Sequence, residues 1–245
     1  MTTRRQFVAL GAAALLAACT RAPRPDAGAA GTPDTPDTPA DPGLPGAQSA
    51  PPWPDFYAAI TDEPYPVPAV PVGSVPPRYR RQRVANPWPD LAPGTIIVDP
   101  DAALLHFIES PATAMRYGVS VGAEGFAWSG RARLQFARAW PHWKVPDAMI
   151  ERQPELAPYS WRLGGMPPGP DNPMGARALY LFQNGRDTLY RIHGSASPAE
   201  LGKAVSSGCI RMLDQDVIDL HARAPHGATV IVRPSMRPRG LDVLY

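Results

Sequence analysis

The sequence of 245 residues predicts a mostly β domain with a few short helices. From residue 95 onward, short apolar runs alternate with Pro, Gly, Asn and Asp, a pattern that is typical of strands joined by turns. Asn184 and Gly185 lie between two such runs and form the dipeptide most typical of a two-residue β-hairpin. Helix start and stop signals are few, and most of them follow residue 196.

Three segments precede the predicted domain at 94–233, and a tail at 234–245 follows it. Residues 1–19 have the features of an export signal: Arg4 and Arg5 stand before an apolar run too short for the about 20 residues that a bilayer requires. The run ends in Leu-Ala-Ala-Cys, which resembles a bacterial lipobox, so we expect lipidation of Cys19 and a lipid-anchored protein in the periplasm or cell envelope. An ordinary cleaved signal with an incidental cysteine is the alternative.

Residues 20–52 are rich in Pro, Gly and Ala and offer little apolar surface to bury, which predicts a disordered linker. Residues 53–93 are rich in Pro and Trp and predict an N-terminal arm with little regular structure that packs over the domain. We interpret the basic run at 78–83 as a solvated loop, in preference to a contact surface for anions. The formal net charge of +2 and the absence of a basic cluster elsewhere give no signature of nucleic-acid binding.

The elements of the domain follow from the same signals, taken in chain order. The predicted strands lie at 95–99, 103–108 and 116–121, in a hairpin formed by 126–128 and 132–136, in the hairpin formed by 179–182 and 188–192, and at 229–232. A short helix is predicted near 146–153. A second helix begins at Ser197, where Ser-Pro-Ala-Glu supplies an N-cap, a first-turn proline and a capping-box glutamate. A third helix is predicted at 215–224, behind Asp214.

Cys209 is the candidate nucleophile, because lipidation of Cys19 leaves it without a disulfide partner in the chain. A cysteine thiol is only a few per cent ionised at neutral pH, and a neighbouring imidazole such as that of His193 can accept its proton. Gly208 leaves space for backbone N–H groups to face an oxyanion. Arg211 can bind a substrate carboxylate or brace the loop. A buried, inert cysteine is the alternative reading of Cys209.

His193-Gly194 and the segment 206–212 (Ser-Ser-Gly-Cys-Ile-Arg-Met) resemble the signature of the L,D-transpeptidase (YkuD-type) family, and the similarity extends over most of residues 95–233. The segment 172–175 (Asn-Pro-Met-Gly) resembles the Asn-Pro-Leu-Gly turn of that family. The resemblance implies a β-sandwich-like fold and a cysteine acyl transferase of the bacterial cell wall. Two departures stand out: Ser207 replaces a histidine found in many members, and residues 123–128 replace a proline-glycine segment that shapes the substrate groove.

The resemblance also implies roles for particular residues. Cys209 would attack a peptidoglycan stem peptide, His193 would donate and accept the proton, and the Gly194 carbonyl would orient the histidine. Amide groups of Gly208 and Cys209 would form the oxyanion site. The side chains that would support the loop or bind substrate are those of Ser206, Ser207 and Arg211.

The expected reaction releases D-alanine, forms a thioester and passes the acyl group to an amine, which gives a cross-link or another attachment. An L,D-carboxypeptidase or amide hydrolase on the same scaffold is one alternative, and an inactive peptidoglycan-binding lipoprotein is another. The acceptor, the membrane that holds the anchor and the oligomeric state stay open. We expect no metal or cofactor, because the histidines at 106, 142, 221 and 226 lack ligand spacing.

Overall fold

The computed structural model describes residues 55–71, 73–122, 128–203 and 209–236. Across these ranges the fold is mostly β, as predicted, with one sheet of ten strands. The strands are β1 Gln82–Ala85, β2 Ile96–Asp99, β3 Leu104–Ile108, β4 Thr113–Gly118, β5 Ser120–Val121, β6 Gly130–Ala139, β7 Arg177–Gln183, β8 Arg186–His193, β9 Ile210–Arg211 and β10 Thr229–Val232. The α-helices are α1 Asp147–Arg152 and α2 Asp214–Arg223.

The strand order shows that the sheet curls on itself. The order is β1-β4-β3-β2-β10-β6-β7-β8-β9-β5, so β4 and β5 stand near opposite ends. Only Val119 separates these two strands in the chain. A flat sheet would hold them about 40 Å apart at the usual strand spacing, so the two ends must meet.

The main core lies inside this curl and is shared by both halves of the sheet and by α2. Tyr117 of β4, Leu181 of β7 and Ile210 of β9 belong to one buried cluster with Val217 and Leu220 of α2. Alternate residues of a strand point to opposite faces, so the neighbours of these core residues along β7 and β8 point away from the core. That outer face carries the candidate site.

The predicted hairpin at Asn184 and Gly185 is confirmed. Both residues have positive φ, 51° and 74°, as a type I′ turn requires, and β7 pairs with β8 across them. The strand that ends at His193 is thereby fixed in register with β7.

Two strand predictions differ in detail from the structure. The expected strand at 116–121 divides into β4 and β5, because Val119 leaves the ladder and donates its N–H to the Ala103 carbonyl at 3.0 Å. Of the expected hairpin formed by 126–128 and 132–136, the second strand is confirmed as part of the longer strand β6, which pairs with β10 and β7. Residues 126 and 127 of its expected first strand lie outside the described residues, and Trp128 is not part of a strand.

The helix predicted at Ser197 is a single 3₁₀ turn, Pro198–Glu200, although its capping box is formed. The turn ends because Gly202 takes φ +83° and donates its N–H to the Val119 carbonyl at 3.0 Å, which directs the chain back to the sheet. Asp214 was expected before the third helix, but it is the first residue of α2 and caps no helical N–H. Its carboxylate instead accepts hydrogen bonds from backbone N–H groups of Ala176 and Ser195.

The arm contributes more regular structure than predicted. The proline-free stretch that ends the basic run forms β1, which pairs with β4. The solvated-loop interpretation of this run was wrong: the Arg81 side chain is 4% exposed and bonds Asp219 at 2.7 Å, and Arg83 bonds Glu109 at 2.7 Å. The arm is therefore attached to the domain by ion pairs with α2 and with the turn after β3.

The signal at 1–19 with Cys19, the linker at 20–52, and residues 237–245 of the tail lie outside the described residues. Within the described ranges, no helix combines the length and the apolar character needed to cross a bilayer.

Candidate active site

Cys209 stands immediately before β9 and lies in the wall of an open pocket of about 700 Å³. Its side chain is half-buried. The carbonyl of Cys209 accepts a hydrogen bond from the Gly122 N–H at 3.4 Å, which continues the pairing of β9 with β5. The backbone carbonyl of Cys209 is thus held by the segment that follows β5, and the next residue, Ile210, is paired with Ile192 of β8.

Strand register produces a row of side chains that leads to this cysteine. Phe136 of β6 is paired with Tyr180 of β7, and Tyr180 is paired with Arg191 of β8. The parallel pairing of β8 with β9 extends the row by one strand to Cys209. All four residues line the pocket, so the row forms its floor.

His193 lies two residues beyond Arg191 on the same strand and therefore on the same face as Cys209. Strands about 4.8 Å apart with a rise of about 3.3 Å per residue put the Cα atoms of His193 and Cys209 about 8 Å apart. Diagonal neighbours at this separation are within reach of an aromatic side chain. The structure thus brings the two residues together on one face of the sheet.

His193 is buried, with 5% of the residue exposed, and a backbone carbonyl orients its imidazole. Its Nδ1 lies 3.0 Å from the Gly194 carbonyl oxygen. A carbonyl only accepts, so Nδ1 carries the proton and Nε2 keeps its lone pair. Burial, and then the positive charge of Arg211, lower the pKa of His193 to about 4, so the ring is neutral near pH 7.

Asp214 fixes the backbone around His193. Its Oδ1 accepts hydrogen bonds from the N–H groups of Ala176 at 2.8 Å and Ser195 at 3.2 Å, and so joins the start of β7 to the segment that follows β8. Position 194 accommodates glycine and no larger residue, because a Cβ there would lie 2.0 Å from this oxygen. Burial raises the pKa of the Asp214 carboxyl, while the two backbone N–H groups oppose that shift.

Arg211 is directed at the protein, not at the pocket. Its guanidinium bonds Glu200 at 2.9 Å and the Ser195 carbonyl at 2.6 Å, and the residue pairs in register with His193. Glu200 also accepts from the Ser197 N–H at 2.7 Å within the capping box. These contacts support the bracing alternative for Arg211 and link β9 to the turn after His193.

Gly208, Ser206 and Ser207 lie outside the described residues. Across the described ranges, no group of three or more His, Cys, Asp or Glu side chains is placed to hold a metal ion.

The sequence interpretation missed two groups that position the site. Asp214 was assigned only to a helix start, although its carboxylate joins backbone segments 38 and 19 residues away. Glu200 was recognised as a capping-box residue but not as the partner of Arg211. The buried Asn172 in the turn before β7 also holds the site: its side-chain amide donates to three carbonyl groups, including Pro141 at 3.1 Å, and its Oδ1 accepts from Met174.

Residues 93–232 match the family model described as YkuD, the L,D-transpeptidase catalytic domain. Because the match covers more than half of the sequence, the chain belongs to this family. It is 29% identical over 147 residues to the probable L,D-transpeptidase YbiS of Escherichia coli strain K12, an alignment that covers 56% of this chain and 43% of that protein.

The chain is also 42% identical over 106 residues to the probable L,D-transpeptidase ErfK/SrfK of Salmonella typhimurium strain LT2, covering 41% of this chain and 32% of that protein. A solved structure from Brucella melitensis, described as a probable carnitine operon oxidoreductase, is 42% identical and has a TM-score of 0.44. That match covers 65% of this chain and 97% of the Brucella chain. The chain spans less than half the length of the two curated relatives.

Proposed function

We propose that this protein is a cysteine acyl transferase that acts on peptidoglycan stem peptides as an L,D-transpeptidase. The observation that carries the proposal is the position of Cys209 in the pocket wall, with a buried, neutral His193 as its diagonal neighbour on the same face of the sheet. Membership of the L,D-transpeptidase family agrees with this arrangement.

In the first step, the Cys209 sulfur attacks the carbonyl of the third stem residue while Nε2 of His193 takes the thiol proton. A thioester forms as the bond to the terminal D-alanine breaks. The imidazolium returns its proton to the leaving amine, so D-alanine departs as a neutral amine or its ammonium form. The Gly194 carbonyl keeps Nδ1 protonated through this cycle and so keeps Nε2 directed at the reaction.

In the second step, an amine attacks the thioester, and His193 accepts the amine proton. An amide forms and the Cys209 sulfur leaves, taking back a proton from the imidazolium. An amine from another stem gives a cross-link, and an amine on a lipoprotein gives an attachment to the wall. The backbone N–H groups of Cys209 and Gly208 are the proposed oxyanion donors in both steps.

The proposal includes the location of the reaction. The signal at 1–19 exports the chain to the periplasm, lipid on Cys19 anchors it to a membrane, and residues 20–52 span the distance to the wall. A membrane-anchored enzyme with such a linker can reach a polymer that stays in place. Mass spectrometry of the chain purified from membranes, with acyl groups on Cys19, tests this part separately.

The activity test uses the full chain with defined muropeptides, and the products are identified by mass. Cross-linked dimers indicate transfer, whereas shortened monomers indicate the hydrolase alternative on the same scaffold. Cys209→Ala should abolish turnover, and Cys19→Ser, which removes the other cysteine, should retain it in detergent solution. A wild-type protein that consumes no muropeptide, and gains no mass when incubated with a carbapenem, would contradict the proposal.

A further inference from the structure

The pocket beside Cys209 is lined by more positive than negative side chains. Arg138, Lys144 and Arg191 line it, and Asp187 is the one acidic residue in its described lining. The remaining walls are largely aromatic and apolar. Since low-dielectric walls strengthen the field of nearby charges, such a pocket attracts anions.

Arg191 does not account for this field, because its charge is already compensated. Its guanidinium bonds both carboxylate oxygens of Asp187, at 2.7 and 2.8 Å, and lies over the Tyr180 ring at 4.4 Å. Tyr180 in turn stacks on Phe136 with ring centroids 4.4 Å apart. Arg191 is therefore a rigid part of the floor.

Arg138 and Lys144 differ from Arg191 in their surroundings. Both side chains belong to exposed residues, and neither forms an ion pair within the described ranges. Arg138 projects from β6, where its backbone pairs with Ala178 of β7 and its guanidinium lies 5.5 Å from the Phe136 ring centroid. Lys144 follows Trp143, whose N–H and carbonyl are both bonded to Met166. Two cations without an ion-pair partner in the described ranges thus line the pocket, and the backbone beside each is held by hydrogen bonds.

We propose that Arg138 and Lys144 bind a carboxylate of the acidic peptide that acylates Cys209, and so select donors with a free carboxylate over amidated ones. This inference rests on the proposed function, of which it specifies the substrate. Arg138 lies three strands away from Cys209, which places the two Cα atoms about 16 Å apart. An extended arginine reaches about 6 Å, so the recognised carboxylate lies two to three residues from the attacked carbonyl.

The kinetic test compares two muropeptide donors that differ only at a non-terminal carboxylate of the stem peptide, the proposed ligand of Arg138 and Lys144, which is free in one donor and amidated in the other. Wild-type protein should prefer the free acid about tenfold in kcat/KM at low salt, and the double variant Arg138→Gln, Lys144→Gln should reduce that preference to about twofold. A third donor, amidated at its terminal carboxylate, locates the contact. Loss of preference at the terminal position alone would overturn the assignment.

A second measurement does not depend on turnover. In the Cys19→Ser background, Cys209 is alkylated by iodoacetate, which is anionic, and by iodoacetamide, which is neutral and of similar size. The double variant should lower the iodoacetate rate about threefold at low salt and leave the iodoacetamide rate unchanged. Arg131→Gln, on the same strand β6 but outside the pocket lining, is the matched control and should change neither rate.

The two measurements separate the inference from the proposed function. If no muropeptide is consumed but the iodoacetate rate falls as expected, the proposed function fails and the anion-binding role of Arg138 and Lys144 stands. If turnover is normal and neither the donor preference nor the iodoacetate rate responds to the double variant, this inference is overturned while the proposed function stands.

Discussion

The junction of the arm with the domain and the pocket beside Cys209 differ in how their positive charges are compensated. Where the arm joins the sheet, Arg81 and Arg223 both bond Asp219, at 2.7 and 2.9 Å. In the pocket, Arg138 and Lys144 form no ion pair within the described residues. Charges that fold together with their partners stabilise the fold, and charges exposed in a cavity are available to a ligand. Arginine thus stabilises the fold beside the arm, whereas the proposed role of Arg138 is recognition of a ligand.

The largest expected effect comes from removing the Arg81 side chain, whose charge is compensated by Asp219. Arg81→Ala should lower the free energy of unfolding by about 3 kcal/mol, because the buried guanidinium is lost and the half-buried carboxylate of Asp219 is left with Arg223 as its ion-pair partner. It also removes the contact of the guanidinium with the Phe56 ring, whose centroid lies 4.2 Å away. Urea denaturation measures this change.

Arg138→Ala in the pocket is the matched control and should cost less than about 0.5 kcal/mol, as exposed substitutions generally do. Equal losses in the free energy of unfolding from Arg81→Ala and Arg138→Ala would contradict the contrast between the arm junction and the pocket.

The contrast also shows what the sequence could and could not predict. The hairpin at Asn184 and Gly185 was predictable because its turn is set by two adjacent residues. The burial of Arg81 was not, because its partner Asp219 lies 138 residues further along the chain. A basic run without visible partners is usually solvated, and only the fold supplies the acidic groups that bury this one.

The candidate site also has parts that the sequence could predict and parts that it could not. The sequence motif identified Cys209 and His193, and strand pairing then placed them on one face. The row from Phe136 to Arg191 depends on the register of β6, which shifts between Leu134 and Phe136. An irregularity of this kind exchanges the faces of the residues beyond it, so no periodicity in the sequence could assign Phe136 or Arg138 to the pocket.

Two buried histidines allow a second comparison, and the expected effect on stability is of intermediate size. Burial, and then the charge of Arg116, lower the pKa of His106 to about 4, the value that His193 also reaches. His193 is held by a carbonyl, whereas Nδ1 of His106 has no hydrogen-bond partner within the described structure. His193 is thus oriented as its proposed catalytic role requires, whereas the ring of His106 packs edge-on against the ring of Trp88, with the ring centroids 5.1 Å apart.

Both histidines make the fold sensitive to acid. Their folded-state pKa values lie below the unfolded value near 6.5, so the unfolded chain binds more protons, and stability falls as the pH falls from about 6.5 towards 4. Each should cost about 2.5 kcal/mol between pH 7 and 4.5. Asp216 acts in the opposite direction, because burial raises its pKa to about 8 and its protonated form is favoured in the fold.

The variant His106→Leu isolates the contribution of His106 to acid sensitivity, because Asp216 and His193 are present in both the variant and the wild-type protein. Between pH 7 and 4.5, the free energy of unfolding of the variant should fall by about 2.5 kcal/mol less than that of the wild-type protein. Urea denaturation at the two pH values measures the difference. An identical acid sensitivity in the two proteins would show that His106 is not held neutral in the fold.

The smallest expected effect tests whether Arg211 braces the site or binds substrate. Glu200→Gln keeps an oxygen acceptor for the Ser197 N–H but removes the charge that Arg211 bonds. This pair is partly exposed, so the loss in the free energy of unfolding should be about 0.5 to 1 kcal/mol.

The exposed Glu155→Gln is the matched control for stability and should change it by less. If Arg211 is a brace, Glu200→Gln lowers kcat because the turn after His193 loosens, and KM for the donor is little changed. If Arg211 instead binds the substrate carboxylate, removal of its competing acid leaves the guanidinium freer for the ligand, and KM falls. The direction of the KM change therefore distinguishes the two roles, even where the change in stability is too small to do so.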